Sequence, residues 1–186
     1  SDMLLNPGKN FTFNGQTYSY PNIKLVYWAG GNPFHHQMNL SKLRKATFKP
    51  DTIITNEIWW NSLARHADIV LPTTTTLERN DIGFRHWEQT VSPMHKAIDP
   101  VGNSKHDFDI FSLISEKLDF KKQFTENKNE EEWLKSLWSE AKESAKENNF
   151  YLPDFDEFWN GGFFEVLKPT HEQILMEDFV KKPEQF

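Results

Sequence analysis

Polar residues that could bind a ligand follow directly after short apolar runs at several places in this chain. The turn GGNP at residues 30–33 follows the run LVYWA, and its glycines would let backbone amides approach a ligand closely. Gly31 and Asn32 are therefore candidate ligand contacts, although an ordinary tight turn explains the motif equally well. The third glycine of the GxGxxG fingerprint is missing, so the motif does not predict a nicotinamide site.

A second polar pair, Asn56 and Glu57, follows the apolar run TIIT. An acidic residue at that point of a βαβ unit commonly accepts hydrogen bonds from ribose hydroxyls, and a solvated loop carboxylate is the alternative. Arg79 lies beyond a third apolar run, where its guanidinium could stack on a base or pair with a phosphate. A surface ion pair of Arg79 with Glu78 or Asp81 is the simpler alternative.

Asp107 precedes a helical pattern, so it is predicted either to cap that helix or to bind a ligand. A carboxylate accepts two parallel hydrogen bonds and thus matches the N1–H and N2 amino edge of guanine. His35, His36 and His66 raise the question of a metal site. The first two are adjacent and no Cys or Asp-x-His partner completes a set, so we expect no protein-ligated metal. His36 is instead a candidate hydrogen-bonding group for a phosphate or ribose.

Three apolar or β-branched runs must position these residues. Residues 23–28, 52–55 and 69–71 are predicted strands. Helical patterns at residues 39–48 and 61–67 separate them. Strands that alternate with helices at this spacing predict an α/β fold, a three-layer sandwich around a mostly parallel sheet.

The remaining segments are predicted from local patterns. Asn14-Gly15 is expected at the turn of a small hairpin. After Gly83 we expect a loop that leads to Asp107, then helices at residues 108–118 and 130–146. From residue 151 onward the chain is expected to form an irregular, aromatic-rich extension.

Composition limits the classes of function. The 186 residues carry a formal charge of −6, which argues against a nucleic-acid partner. No apolar run approaches the roughly 20 residues of a membrane span, and the absence of cysteine excludes disulfides and thiolate metal sites. Aromatic residues make up 15% of the chain, which argues against disorder.

Several sequence blocks occur together in one order: YWAGGNPFHHQ, ARHADIVLP, LERND, DFDIF and PDFDEFW. In this order and spacing they resemble the guanosine-binding part of molybdenum enzymes of the dimethyl sulfoxide reductase family. The trimethylamine-N-oxide and biotin sulfoxide reductases are the most similar members. Such enzymes are several times longer, so we expect the chain to be a fragment. Residues 1–22 would enter from a preceding domain, residues 23–120 would bind guanosine, and residues 121–186 would lead toward a C-terminal domain.

The resemblance implies a molybdenum cofactor held by two molybdopterin guanine dinucleotides, and reduction of an N-oxide or S-oxide by oxygen-atom transfer. The serine that ligates molybdenum belongs to an upstream segment of the family, so no catalytic residue or metal ligand is expected in this chain. We therefore expect the fragment alone to be inactive and without cofactor. Carried over by position, the family's contacts to one dinucleotide would be Gly31, Asn32, His36, Asn56, Glu57, Arg79 and Asp107, with Asn56 and Glu57 at the ribose and Asp107 at the guanine edge.

The resemblance also implies partners and a location. The partners would be the remaining domains of the enzyme, a small N-oxide or S-oxide and an electron donor such as a c-type cytochrome. A bacterial periplasmic location is favoured over a cytoplasmic one. Two alternatives stay open at this point: a relative of nitrate reductase or formate dehydrogenase, and a stand-alone nucleotide-binding or structural module without a redox role.

Overall fold

The computed structural model describes residues 1–84, 90–166 and 175–185. The chain forms two compact units that are not contiguous in sequence. The first unit comprises Ser1–Arg79 and His95–Lys128, and the second comprises Asn80–Met94 and Asn129–Phe186. The functional boundaries predicted after residues 22 and 120 stay a prediction. Parts of the predicted loop and of the predicted C-terminal extension, at residues 85–89 and 167–174, lie outside the described residues.

The first unit contains five strands, five α-helices and a 3₁₀ turn among its described residues. The strands are β1 (Asn10–Phe13), β2 (Gln16–Ser19), β3 (Leu25–Ala29), β4 (Thr52–Glu57) and β5 (Ile69–Pro72). The helices are α1 (Asp2–Leu5), α2 (Pro33–His36), α3 (Leu40–Thr47), α4 (Asp107–Lys117) and α5 (Lys121–Thr125), and the 3₁₀ turn is Ala64–His66.

The predicted parallel sheet is confirmed. Strands β3, β4 and β5 lie side by side in that order, and both pairs run parallel. The central strand β4 buries Ile53 and Thr55 on one face, and it buries Asn56 on the other. The third layer of the predicted sandwich stays a prediction.

The small hairpin predicted around Asn14-Gly15 is also confirmed. Strands β1 and β2 pair antiparallel across a two-residue turn. Asn14 and Gly15 both have positive φ angles, 48° and 75°, as a type I′ turn requires.

The second unit is built from three antiparallel strands and three α-helices among its described residues. The strands are β6 (Asp81–Phe84), β7 (Thr90–Met94) and β8 (Phe164–Glu165), with β7 in the middle. The helices are α6 (Glu130–Glu147), α7 (Phe155–Gly161) and α8 (Glu177–Lys181), and a 3₁₀ turn follows at Pro183–Gln185.

A small apolar core holds the second unit together. The indole ring of Trp138 stacks on Phe158 with ring centroids 3.8 Å apart, and both side chains are buried. The Trp138 indole N–H donates to the Pro153 carbonyl oxygen at 3.0 Å, so the one polar group of this buried side chain has a hydrogen-bond partner. Val91 and Leu152 complete this core.

The loop predicted after Gly83 is wrong at Thr90–Met94, because β7 pairs there with β6 in an antiparallel arrangement, whereas the later part of the prediction, residues 95–106, is a loop in the structure. Pro93 favoured the loop interpretation, since proline donates no hydrogen bond to a sheet. Among the described residues β8 pairs with Thr90 and Val91 and does not reach Pro93. In this part of the chain Pro93 lies beside β6 at an edge of the sheet, where proline is tolerated.

Candidate functional site

A polar cavity of about 340 Å³ lies at the carboxyl ends of the parallel strands in the first unit. This is the edge at which open α/β sheets bind their ligands. The cavity is formed by loops that follow β3, β4 and β5 and by the start of α4. Its lining residues are Gly30, Gly31, Asn56, Glu57, Ile58, Thr73, Thr74, Thr75, Thr76, Arg79 and Asp107.

The GGNP turn places two glycines, whose backbone is not covered by a side chain, at the rim of this cavity. Gly30 and Gly31 follow β3 directly and have φ angles of +82° and +75°. A side chain at these angles would be strained, although a Cβ at either position would meet no atom within 4 Å. The two glycines therefore supply a backbone conformation and leave space beside it.

A buried carboxylate shapes the threonine-rich wall of the cavity. Glu78 Oε2 accepts hydrogen bonds from the backbone N–H and the hydroxyl of Thr75, each at 2.7 Å, and Oε1 accepts from the Val101 N–H at 2.6 Å. The Thr75 backbone N–H is the main reason why the pKa of Glu78 lies below its usual value. Sequence reasoning considered Glu78 only as an ion-pair partner for Arg79 and missed this role.

Asp107 reaches the cavity because the chain ahead of it is bonded to the end of β5. The Lys105 N–H donates to the Pro72 carbonyl, and the Thr74 N–H donates to the Lys105 carbonyl, both at 3.1 Å. Helix α4 then begins at Asp107, with His106 in the N-cap position. The predicted N-cap role of Asp107 is therefore wrong: Asp107 is the first helical residue, where a carboxylate is favoured by the helix dipole.

The carboxylate of Asp107 belongs to a chain of hydrogen bonds. Tyr27 donates from its hydroxyl to Asn56 Oδ1 at 2.8 Å, and Asn56 Nδ2 donates to Asp107 Oδ1 at 2.7 Å. Burial, and secondarily the negative charge of Asp107, raises the pKa of Tyr27. The phenol is therefore a dependable donor at neutral pH.

Arg79 and Thr74 add a cation and a hydroxyl to the same wall. Arg79 Nη1 donates to the Thr74 carbonyl oxygen at 3.1 Å, which holds the guanidinium beside the cavity. The side chain of Thr74 is 3% exposed, and within the described residues its Oγ1 has no hydrogen-bond partner. Buried hydroxyls are normally satisfied, so this unpartnered atom beside the cavity is an exception to the usual pattern. The run of four threonines at residues 73–76 is the sequence feature that could have identified Thr74 as a residue of this site.

Five of the seven predicted contacts line this cavity: Gly31, Asn56, Glu57, Arg79 and Asp107. The other two do not. Asn32 is buried and caps α2, since its Oδ1 accepts from the Phe34 N–H at 3.0 Å. His36 lies exposed at the last residue of that short helix.

The arrangement offers recognition groups rather than a reaction centre. Two carboxylates, Glu57 and Asp107, can accept hydrogen bonds from sugar hydroxyls or a base, and Arg79 can neutralise a phosphate. Within the described ranges no three His, Cys, Asp or Glu side chains cluster closely enough to hold a metal ion. Among the helices that the structure describes, none is long and apolar enough to cross a membrane.

Comparison with known proteins agrees with this geometry. The family model described as Molybdopterin oxidoreductase matches residues 2–117, which include every residue that lines the cavity. The chain belongs to the molybdopterin oxidoreductase family. The resemblance to that family noted in the sequence is thereby confirmed.

Several curated relatives have names that state their substrates. A dimethyl sulfoxide/trimethylamine N-oxide reductase of Cereibacter sphaeroides is 43% identical over 88% of this chain and 20% of its own length. A biotin sulfoxide reductase of the same organism is 42% identical over 87% of this chain and 22% of its own length. A trimethylamine-N-oxide reductase of Haemophilus influenzae is 44% identical over 86% of this chain and 20% of its own length. The chain thus spans about a fifth of the relatives it matches.

A solved structure shares the fold at lower sequence similarity. The acetylene hydratase of Pelobacter acetylenicus matches 81% of this chain and 19% of its own chain, with a TM-score of 0.61 and 17% identity. This match shows a common fold and, at that identity, carries no information about the reaction.

Proposed function

We propose that this chain is the guanosine-binding part of a molybdenum oxidoreductase that reduces an N-oxide or S-oxide. The observation that carries the proposal is the convergence of Asp107, Glu57 and Arg79 on one cavity at the carboxyl ends of three parallel strands. The names of the curated relatives support the substrate class.

The residues of the cavity fit the guanosine end of a molybdopterin guanine dinucleotide. The Asp107 carboxylate would accept from guanine N1–H and the N2 amino group, and Glu57 would accept from ribose hydroxyls. Arg79 would lie against a phosphate, and the unpartnered Thr74 hydroxyl would gain a partner. When bound, the molybdenum–pterin cofactor supplies the redox chemistry of oxygen-atom transfer, while the residues of this chain bind and orient its nucleotide end.

We further propose that the chain alone is inactive and holds no cofactor. It covers about a fifth of the length of its relatives, and its described residues contain no metal-binding cluster. This proposal also includes an N-oxide or S-oxide as the substrate and an electron donor such as a c-type cytochrome. It further includes contacts with the other enzyme domains and a periplasmic location.

Titration of the chain with nucleotides tests the guanosine assignment. We expect GMP to bind with roughly millimolar affinity, about 4 kcal/mol, because only one part of the dinucleotide site is present. GMP should bind more tightly than AMP, since adenine N1 is an acceptor and meets no donor at a carboxylate. Changes in backbone amide NMR shifts should be centred on Gly31, Glu57 and Asp107.

The variant Asp107→Ala should remove the preference for GMP over AMP. Asp109→Ala is the matched control, because Asp109 lies exposed on the same first turn of α4 and does not line the cavity. Equal shifts for GMP and AMP in the wild type would refute the guanosine assignment. A GMP preference that survives Asp107→Ala would remove Asp107 from base recognition.

A further inference from the structure

The hydrogen-bonded series Tyr27, Asn56 and Asp107 joins three different elements behind the polar cavity. Tyr27 lies on β3, Asn56 lies on β4 beside it, and Asp107 begins α4. Asn56 and Asp107 line the cavity, whereas Tyr27 does not. Tyr27 can therefore influence a ligand only through the two residues that it supports.

The donors and acceptors of this series allow one orientation of the Asn56 amide. Asp107 is an acceptor when ionised, so the amide must turn its Nδ2 toward the carboxylate. Asn56 Oδ1 then points the other way and needs a donor, because Asn56 is 5% exposed and a buried carbonyl oxygen without a partner is costly. The Tyr27 hydroxyl is that donor, at 2.8 Å.

This arrangement changes the role expected for Asn56. Each end of its amide makes one hydrogen bond within the protein, Oδ1 with Tyr27 and Nδ2 with Asp107. Asn56 therefore holds Asp107 Oδ1 in place as well as lining the cavity, and its second Nδ2 hydrogen is left for a ligand. An ionised carboxylate has about four acceptor positions, so Asp107 keeps capacity for two further hydrogen bonds from a base.

We propose that Tyr27 is a positioning residue for nucleobase selection: its hydroxyl holds the Asn56 amide, which in turn holds the plane of the Asp107 carboxylate toward the cavity. This inference rests on the proposed guanosine function and adds a specificity determinant to it. Tyr27 also contacts helix α4 through its ring, which lies 5.4 Å from the ring of Phe111. The hydroxyl and the ring therefore have separable roles.

The variant Tyr27→Phe removes the hydroxyl and keeps the ring contact with Phe111. The matched control is Tyr18→Phe, because the Tyr18 hydroxyl also donates to a side-chain amide oxygen, that of Gln16 at 2.6 Å, and lies on the exposed hairpin. Each protein is the full chain, titrated by NMR with GMP, IMP and AMP. IMP keeps the N1–H donor of guanine and lacks the N2 amino group, so it separates the two hydrogen bonds expected at Asp107.

A second readout follows the hydrogen bond itself. The side-chain NH₂ signals of Asn56 report on the bond from Nδ2 to Asp107. In Tyr27→Phe these signals should shift and exchange faster with solvent, even without nucleotide, because the amide has lost its anchor. In Tyr18→Phe they should stay as in the wild type.

We expect Tyr27→Phe to lower the preference for GMP over AMP by about threefold to tenfold, the loss that one misplaced hydrogen bond produces. GMP should also lose its advantage over IMP, while Tyr18→Phe leaves both ratios unchanged. If Tyr27→Phe keeps the wild-type ratios, the positioning role is wrong and the guanosine function stands. If both variants lose selectivity equally, the effect is general destabilisation and the positioning role is also wrong. A wild type without a GMP preference would overturn the guanosine function and this inference together.

Discussion

A cavity of about 340 Å³ in the first unit and one of about 370 Å³ in the second are similar in size and opposite in chemistry. The first is lined mainly by polar residues, which carry carboxylates, hydroxyls, an amide and a guanidinium, together with two glycines and Ile58. The second is lined by apolar side chains apart from Asp81, and among them are Val91 and Trp138, which belong to the core of that unit. Size therefore does not distinguish a ligand site from a packing space in this chain.

The arrangement of polar groups does distinguish them. In the first unit Asn56 and Glu78 have hydrogen-bond partners that fix them in place, and Thr74 Oγ1 stays without a partner in the described part of the chain. A site that is prepared for a ligand combines fixed groups with unsatisfied ones. Among the described residues that line the apolar cavity, no buried side-chain polar atom lacks a hydrogen-bond partner, and we expect changes there to affect stability rather than nucleotide binding.

The largest expected effect comes from the core beside the apolar cavity. Trp138→Ala removes a buried ring that stacks on Phe158, and it should lower the free energy of unfolding by about 3–5 kcal/mol. Leu137→Ala on the same helix is the control, since Leu137 is 50% exposed and should cost much less. Urea denaturation measures both. A loss below about 1 kcal/mol for Trp138→Ala would show that this core contributes little.

The next largest effect concerns the way in which stability depends on pH through Glu78, which holds the threonine-rich wall of the polar cavity. Because the pKa of Glu78 is lowered by folding, its ionised form stabilises the native state above its unfolded pKa, near 4.5. That contribution should be lost as the pH falls below 4.5 toward the folded pKa. Glu78→Gln should therefore be less stable at neutral pH and lose less stability on acidification than the wild type.

Urea midpoints between neutral pH and the acid range measure this difference. Glu140→Gln on the exposed surface of α6 is the control and should follow the wild-type curve. Parallel curves for Glu78→Gln and the wild type would show that the ionised Glu78 carboxylate does not stabilise the threonine-rich wall.

The sequence predicted the parts of this molecule that depend on local pattern. The β-branched runs predicted the three parallel strands, and Asn14-Gly15 predicted the hairpin turn. Asp107, Glu57 and Arg79 follow strands or begin a helix in the sequence, and in the structure they line one cavity at the sheet edge.

The features that the sequence did not predict depend on contacts between distant residues. The bond from Tyr27 to Asn56 joins residues 29 positions apart, and that from Asn56 to Asp107 joins residues 51 apart. The pairing of β6 with β7 was missed because Pro93 suggested a loop, and the pairing of β7 with β8 was missed because β8 lies far along the chain. Pairing of this kind is set by packing and has no local signature.

A smaller effect is expected at the loop beside the polar cavity. Asn32→Ala removes the cap of α2, and it should cost about 1 kcal/mol of stability, typical of a lost N-cap. Asn32→Ser keeps an acceptor oxygen and should recover most of that loss. Because Asn32 does not line the cavity, we expect GMP to bind both variants nearly as it binds the wild type. A loss of binding equal to that of Asp107→Ala would instead place Asn32 among the ligand contacts.

The smallest effect on stability should accompany a clear effect on binding. Thr74→Val replaces a hydroxyl that has no partner in the described ranges by a methyl group of the same shape. Burying a hydroxyl without a hydrogen bond is unfavourable, so the variant should be within about 0.5 kcal/mol of the wild type or slightly more stable. If the hydroxyl is kept for a ligand, the same variant should bind GMP about threefold more weakly, the effect of one neutral hydrogen bond. Stability by urea denaturation and affinity by NMR titration would then change in opposite directions.

The matching variant in the apolar cavity is Val91→Thr. It should destabilise the chain, because it buries a new hydroxyl, and it should leave GMP binding unchanged. If Thr74→Val binds GMP as the wild type does, the unsatisfied hydroxyl is a feature of folding alone and the contrast between the two cavities loses its functional meaning.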